Sequence, residues 1–139
     1  MKSIEMINEV FVSEIQTIDC VRRNINSDYE LFIKEMLECK GRIIILGVGK
    51  SGLIGKKMAA TFASTGTPSF FVHSTEAVHG DLGMICKEDI VLAISNSGET
   101  SEVISTLNSI NEIGATLISI TKSKSSTLGK SSKVVIEIP

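Results

Sequence analysis

This 139-residue sequence predicts a parallel, doubly wound α/β fold, on three observations. Five short apolar runs, Ile43–Leu46, Ser69–Val72, Ile90–Ile94, Thr116–Ile120 and Val134–Ile138, alternate with segments whose apolar residues recur at three and four. The runs carry few polar side chains, as strands buried on both faces require. Loops rich in Gly, Ser and Thr follow them, and in such sheets ligands sit beyond the carboxyl ends of the strands, where strand order reverses.

Two helices come first. Ile4, Ile7, Phe11, Ile15, Ile18, Val21 and Ile25 form one helical face over about six turns. Asn26-Ser27-Asp28 breaks it, with Ser27 or Asp28 able to cap a second helix carrying Tyr29, Phe32, Ile33, Met36 and Leu37. Such a pair either lies on the chain's own sheet or supplies subunit contacts. After the first strand, Gly47-Val48-Gly49-Lys50-Ser51-Gly52 leads to a helix from about Leu53 to Ser64, and Thr65–Pro68 turns the chain into the second strand. His73 to Met84 is mixed: Ser74 can cap a short helix through His79, ended by Gly80 and Gly83. Val103, Ile104, Leu107, Ile110 and Ile113 mark the next helix, with Gly114 at its C-terminal cap. Thr121–Ser132 is rich in Ser and Lys and holds one short helix. Pro139 directly follows the fifth strand, so a subunit or further chain is expected to cover that end of the sheet.

Composition narrows the function. Hydrophobic residues at 42%, with five Phe, one Tyr and no Trp, predict an aliphatic core. A net charge of −2 and no run of Lys or Arg longer than two leave no footprint for nucleic acid. Cys20, Cys39 and Cys86 are odd in number and far apart, with no CxxC, so they are expected as buried or free thiols in a reducing compartment. The polar start shows no secretory signal, and no apolar stretch approaches membrane-spanning length. A cytoplasmic domain without membrane contact is the expectation.

The chemistry concentrates in the loops. Gly47–Gly52 matches GxGxxG, but a dinucleotide site also needs an acidic residue about 20 residues on, where Val72 and His73 stand. The first glycine of a P-loop would fall at Ile44. A tight turn with a solvated Lys50 is the plain reading. Ser95-Asn96-Ser97-Gly98-Glu99-Thr100 leads into a helix start, where unpartnered N–H groups and the helix dipole favour an anion, a phosphate above all. A plain cap at Thr100 or Ser101 needs one hydroxyl; Ser95, Ser97, Thr100 and Ser101 exceed that. With no arginine present, recognition would rest on N–H groups and hydroxyls. Glu102 either complements the helix dipole or serves as a carboxylate base over a bound phosphate ester. His73 and His79, six apart, do not form a helical metal pair and read as polar residues of the cleft.

GVGKSGLIGKKMAATFASTGTPSFFVHSTEAVHGDLGMI followed by AISNSGETSEV resembles the SIS (sugar isomerase) domain family, and within it the arabinose-5-phosphate isomerase branch. The resemblance is dense from Gly41 to Gly114. It implies a flavodoxin-like three-layer α/β/α sandwich with a five-stranded parallel sheet. It also implies a homo-oligomer (dimer or tetramer), no cofactor, and interconversion of D-ribulose 5-phosphate and D-arabinose 5-phosphate for lipopolysaccharide or capsule. Lys50 and Glu102 fall on its catalytic positions. Ser51, Gly66, Thr67, His79, Ser95, Ser97 and Thr100 fall on ligand-contacting positions, and His73 on one that binds an inhibitory zinc. The family's pattern continues past the fifth strand with a further glutamate and a histidine, and full-length members carry paired CBS domains. Residues 1–139 therefore read as one SIS domain, helices to residue 40 and sheet core after it, shortened at its C-terminus and without CBS domains. The expected reaction runs through an enediol, with Glu102 as base, Lys50 stabilising oxyanion charge, and His79 opening the ring or holding a hydroxyl. The rival expectation is a non-catalytic sugar-phosphate sensor built on the same loop.

Overall fold

The computed structural model describes residues 2–139. The elements are α1 (Lys2–Arg23), α2 (Ser27–Glu38), β1 (Ile43–Gly47), α3 (Gly49–Ser64), β2 (Ser69–His73), α4 (Ser74–Ala77), a 3-10 turn (Asp81–Met84), β3 (Ile90–Ile94), α5 (Ser101–Ile104), α6 (Leu107–Ile113), β4 (Thr116–Thr121), α7 (Thr127–Ser131) and β5 (Val134–Glu137).

The five strands form one parallel sheet in the order β2-β1-β3-β4-β5. Alternate side chains feed two cores. Ile44, Leu46, Val91 and Ala93 pack with Val103, Leu107, Ile110 and Leu128 on one face. Ile43, Ile45, Ile90 and Leu92 meet Phe32 and Met36 of α2 and Met58, Ala59 and Phe62 of α3 on the other. The expected three-layer sandwich is therefore the fold. Strand order reverses between β1 and β3, so the switch-point crevice opens between the loops that follow these two strands. Pro68 cannot donate to a ladder, and it precedes an edge strand; its carbonyl accepts the Ile43 N–H at 2.9 Å.

Local chemistry moved several boundaries. Asn26, not Ser27 or Asp28, caps α2: it is extended (φ −142°, ψ −171°) and its Oδ1 accepts the Asp28 N–H at 2.8 Å. α3 begins at Gly49, not Leu53, because its first turn buries glycine rather than apolar side chains and shows no periodicity. His73 caps α4 through Nδ1, which accepts the Thr75 N–H at 3.3 Å, while Ser74 is buried inside the helix. The expected single helix after the third strand is two, α5 and α6. At the break the Thr106 hydroxyl donates to Val103 O at 2.7 Å and the Ser105 hydroxyl to Glu102 O at 2.9 Å, bonds that bend a helix. Gly114 holds the predicted left-handed cap at φ 83°. α2 lies on the chain's own sheet, tied by the Lys133–Glu35 and Lys124–Asp28 ion pairs. α1 does not: only Asp19 and Val21 are even half-buried, whereas Phe32 and Met36 of α2 pack against the core.

Asp89 pins the other end of the sheet. It is 2% exposed and accepts the N–H of Arg42 (2.8 Å), the N–H of Cys86 (2.8 Å) and two guanidinium bonds from Arg42 (3.2 and 2.8 Å). Burial pushes the Asp89 carboxyl up, but Arg42 and the two backbone N–H groups together hold it below the ordinary value. Asp89→Ala leaves those N–H groups unpaired, and with Arg42 still reaching water the expected loss is about 2–3 kcal/mol by denaturant unfolding. A lowered folded pKa means this stabilisation is present above the unfolded value, near pH 4, and is lost as pH falls through the folded one. The wild-type and Ala unfolding curves should therefore converge in acid.

Candidate active site

The loop after β3 is built by its own hydroxyls. Ser95 is 2% exposed; its Oγ lies 2.8 Å from Thr100 Oγ1 and accepts the Gly98 N–H at 3.1 Å. Ser97 Oγ accepts the Glu99 N–H at 3.1 Å. Thr100 occupies the N-cap position of α5, yet its side chain caps nothing. Its hydroxyl is engaged across the loop instead, so the plain capped start does not describe this turn. The N–H groups of Ser101 and Glu102 open the helix, where no internal carbonyl is available to them.

The segment after β4 buttresses this loop, a role that no motif announces. Glu99 turns away from the crevice and accepts the Thr127 N–H at 2.7 Å, which holds its carboxyl below the ordinary value. Gly98 O accepts the Leu128 N–H at 3.0 Å, and Asn96 O accepts the Lys122 N–H at 2.9 Å. Gly98 itself has φ 67°. A Cβ there would overlap Ser126 Oγ and stand 2.5 Å from Ser126 Cβ. The one signal in the sequence was compositional, a Ser- and Lys-rich stretch with no apparent task.

The GxGxxG turn has structural reasons for its glycines. A Cβ on Gly47 would stand 3.2 Å from the Gly52 nitrogen, and one on Gly52 3.3 Å from Phe71 Cζ. Gly49 takes φ 60° with open space around it. The close approach sets the first turn of α3 at the carboxyl edge of β1. Lys50 stands there exposed and Ser51 half-buried. Among the described residues Lys50 has no ion-pair partner.

Glu102 is half-buried in the first turn of α5. Its own N–H and the Ser101 hydroxyl, at 2.9 Å from Oε2, hold its carboxyl below the ordinary value of 4.5; burial opposes this and nearby His73 adds a small pull in the same direction as the two hydrogen bonds. A carboxylate in this state is ionised at neutral pH and able to accept a proton. His73 ends β2, with its ring edge-on to Phe71 at 6.3 Å.

One edge of the sheet thus carries Lys50, Ser51, His73, Ser95, Ser97, Thr100 and Glu102. His79 follows α4, exposed, on the segment that carries the chain back toward Arg42. Gly66 and Thr67 are not in this group. They precede β2, beside the start of β1, so within one chain they lie at the opposite edge, a strand length of roughly 16 Å away. Spacing along the sequence could not show this, because α3 carries the chain from one edge to the other. At His73, on the position where zinc is expected, Nδ1 accepts the Thr75 N–H, and among the described residues no three His, Cys, Asp or Glu side chains converge within the chain.

Known proteins share this fold. The SIS domain profile matches residues 36–139. A Pseudomonas aeruginosa protein named arabinose 5-phosphate isomerase KdsD is 49% identical over 124 residues, 89% of this chain and 38% of that protein. A Haemophilus influenzae protein named probable arabinose 5-phosphate isomerase is 52% identical over 116 residues, 84% of this chain and 34% of that protein. The chain thus spans little more than a third of the length of these curated relatives. A solved Escherichia coli CFT073 protein in complex with arabinose 5-phosphate is 49% identical and superposes with a TM-score of 0.95, over 99% of this chain and 73% of its own.

Proposed function

The chain belongs to the SIS domain family, and on that basis we propose that it is the isomerase domain of an aldose–ketose isomerase interconverting D-ribulose 5-phosphate and D-arabinose 5-phosphate. The observation that carries this is the likeness to the Escherichia coli protein solved with arabinose 5-phosphate, at 49% identity and a TM-score of 0.95. The product would serve the eight-carbon acid sugar of lipopolysaccharide or capsule, in the cytoplasm. No helix among the described residues is long and apolar enough to cross a membrane.

In this reading the loop Ser95–Thr100 holds the phosphate through hydroxyls and N–H groups. The ionised Glu102 takes a proton from C1 of the ketose. The electron pair forms the enediolate, and the Lys50 ammonium stabilises charge on the former carbonyl oxygen. The hydroxyl proton passes from O1 to O2, Glu102 returns the carbon-bound proton to C2, and the aldose forms with no net change in composition. Self-association belongs to the same proposal, because only another copy of the chain could bring Gly66 and Thr67 to this edge.

Ribulose 5-phosphate in deuterated water tests the reading. Deuterium at C1 of the recovered ketose and C2 of the aldose is the expected result. Thermal stabilisation by the sugar phosphate without exchange would identify a binding module, and neither effect would remove the proposal. Lys50→Ala should lower exchange by about 100-fold with little change in phosphate affinity, read from kcat against KM.

A further inference from the structure

α7 is five residues long, and the loop after β3 closes its amino end. Of its first three N–H groups, that of Thr127 donates to Glu99 Oε1 at 2.7 Å and that of Leu128 to Gly98 O at 3.0 Å. Only the third, from Gly129, goes to the helix's own cap, the Ser126 hydroxyl, at 3.0 Å. A cap is ordinarily supplied by the residue just before the helix. Here two neighbouring residues of the turn after β3 supply the rest of it. Glu99 is exposed, so its hydrogen bond adds little to stability. What the bond fixes is direction.

α5 does not orient its own opening N–H groups. It has four residues, and the Thr100 side chain at its N-cap position is held by Ser95 Oγ at 2.8 Å instead of capping it. The Glu99–Thr100 peptide is therefore fixed from two sides, inward by Ser95 and outward by α7. We propose that Glu99 is a positioning residue for the substrate phosphate: seated on the amino end of α7, it aims the N–H groups that open α5 at the ester. This role rests on the phosphate reading of the loop and is independent of the base assigned to the reaction.

Two features make the effect one of substrate binding. The loop has backbone tethers besides Glu99: Asn96 O accepts the Lys122 N–H and Gly98 O the Leu128 N–H. Without the Glu99 side chain the loop stays in place, and only its last residues swing. Val103, next to Glu102, is fully buried in the core, so α5 keeps its seat and Glu102 with it. Loss of the carboxylate should then weaken the grip on the phosphate and spare the chemical step, raising KM with little change in kcat.

The contact needs reach more than charge. Its essential part is an acceptor placed at the Thr127 N–H, which an amide oxygen on the same length of side chain also provides. A carboxylate too short to arrive there would stand free beside a bound phosphate ester and repel it. Gln and Asp at position 99 thus separate the two properties.

Calorimetric titration of the full chain with D-arabinose 5-phosphate, with turnover of D-ribulose 5-phosphate beside it, tests the role. Glu99→Ala should raise Kd and KM about tenfold and leave kcat within about threefold. Glu99→Gln should bind within about threefold of the wild type, and Glu99→Asp no better than Glu99→Ala. Thr127→Pro deletes the same bond from the donor side. Proline is favoured at the first position of a helix, and Ser126 (φ −64°, ψ 164°) already has the backbone required before it. Thr127→Pro should match Glu99→Ala, and the double variant should bind no more weakly than either, because both remove one contact. Glu99→Ala binding as tightly as the wild type, rescue by Asp in place of Gln, or additive losses in the double variant would each overturn the role. The Gln and Asp pair decides the matter even if Thr127→Pro unfolds α7. A wild type that does not bind the sugar phosphate overturns the phosphate reading itself, and this role with it.

Discussion

Glu102→Gln is expected to lower the isomerisation rate by about 10³-fold while leaving sugar-phosphate affinity within about threefold. The amide is nearly the same size, can still accept the Ser101 hydroxyl, and keeps the turn Thr100–Val103 intact through the backbone. What it lacks is the ability to take a proton at carbon. General-base groups contribute about 10²–10⁴ to rate, and that range sets the expected loss. Substrate exchange in deuterated water is the readout, with calorimetric titration of the inert phosphate for affinity. If full turnover survives, the base is another group. The pH profile gives a second check. Because its own N–H and Ser101 hold the Glu102 carboxyl below the ordinary range, it stays ionised to lower pH than a free glutamate. The acidic limb of kcat/KM should then fall below about pH 4.5, the ordinary value, and vanish in the Gln variant. An acidic limb near pH 6–7 would mean that ligand binding rebuilds the surroundings of Glu102 or that a histidine controls the step.

Gly98→Ala should abolish phosphate binding and destabilise the domain by about 2–5 kcal/mol, combining left-handed strain with overpacking. The added Cβ meets Ser126 and comes within 2.8 Å of Thr121 Oγ1. Ser126 cannot yield. Its hydroxyl donates to Ser123 O at 2.7 Å and accepts the Gly129 N–H at 3.0 Å, capping α7. The backbone cannot yield either, since both sides of Gly98 are bonded, to Ser95 Oγ and to Leu128 N–H. Gly49→Ala is the matched control. Gly49 has nearly the same φ, 60° against 67°, but open space where its Cβ would go. It should lose only the left-handed strain, about 1–2 kcal/mol. Urea unfolding of the two variants should therefore differ by the packing cost at Ser126. Equal losses would mean that the loop shifts freely and is not held by the segment after β4.

The strands were legible because each is an apolar run too short for a helix, and their parallel arrangement followed from the helical segments between them. Lys50, Ser95, Thr100 and Glu102 were legible as loop chemistry, since hydroxyls and charges clustered after strands have few other reasons to be there. Glu99 was misleading for the same reason. Read along the chain it belongs with the loop, but its carboxylate is committed to Thr127, 28 residues later. The Asn26 cap, the early start of α3 and the break at Thr106 escaped because each is decided by a single side-chain bond or a glycine, not by the spacing of apolar residues.

The order of residues was enough to specify a parallel α/β domain, its helix and strand count to within one helix, and a polar, hydroxyl-rich turn after the third strand. These are local properties: periodicity, run length and the donors of one loop. Which edge each loop occupies was settled by packing in three dimensions, so that Gly66 and Thr67 part from Lys50 and Glu102. The same packing makes the Ser- and Lys-rich segment hold Gly98 in place, and leaves the stripe on α1 with no core of its own to cover. Each of these depends on where a helix returns the chain, a distance across the sheet that no spacing along the sequence records.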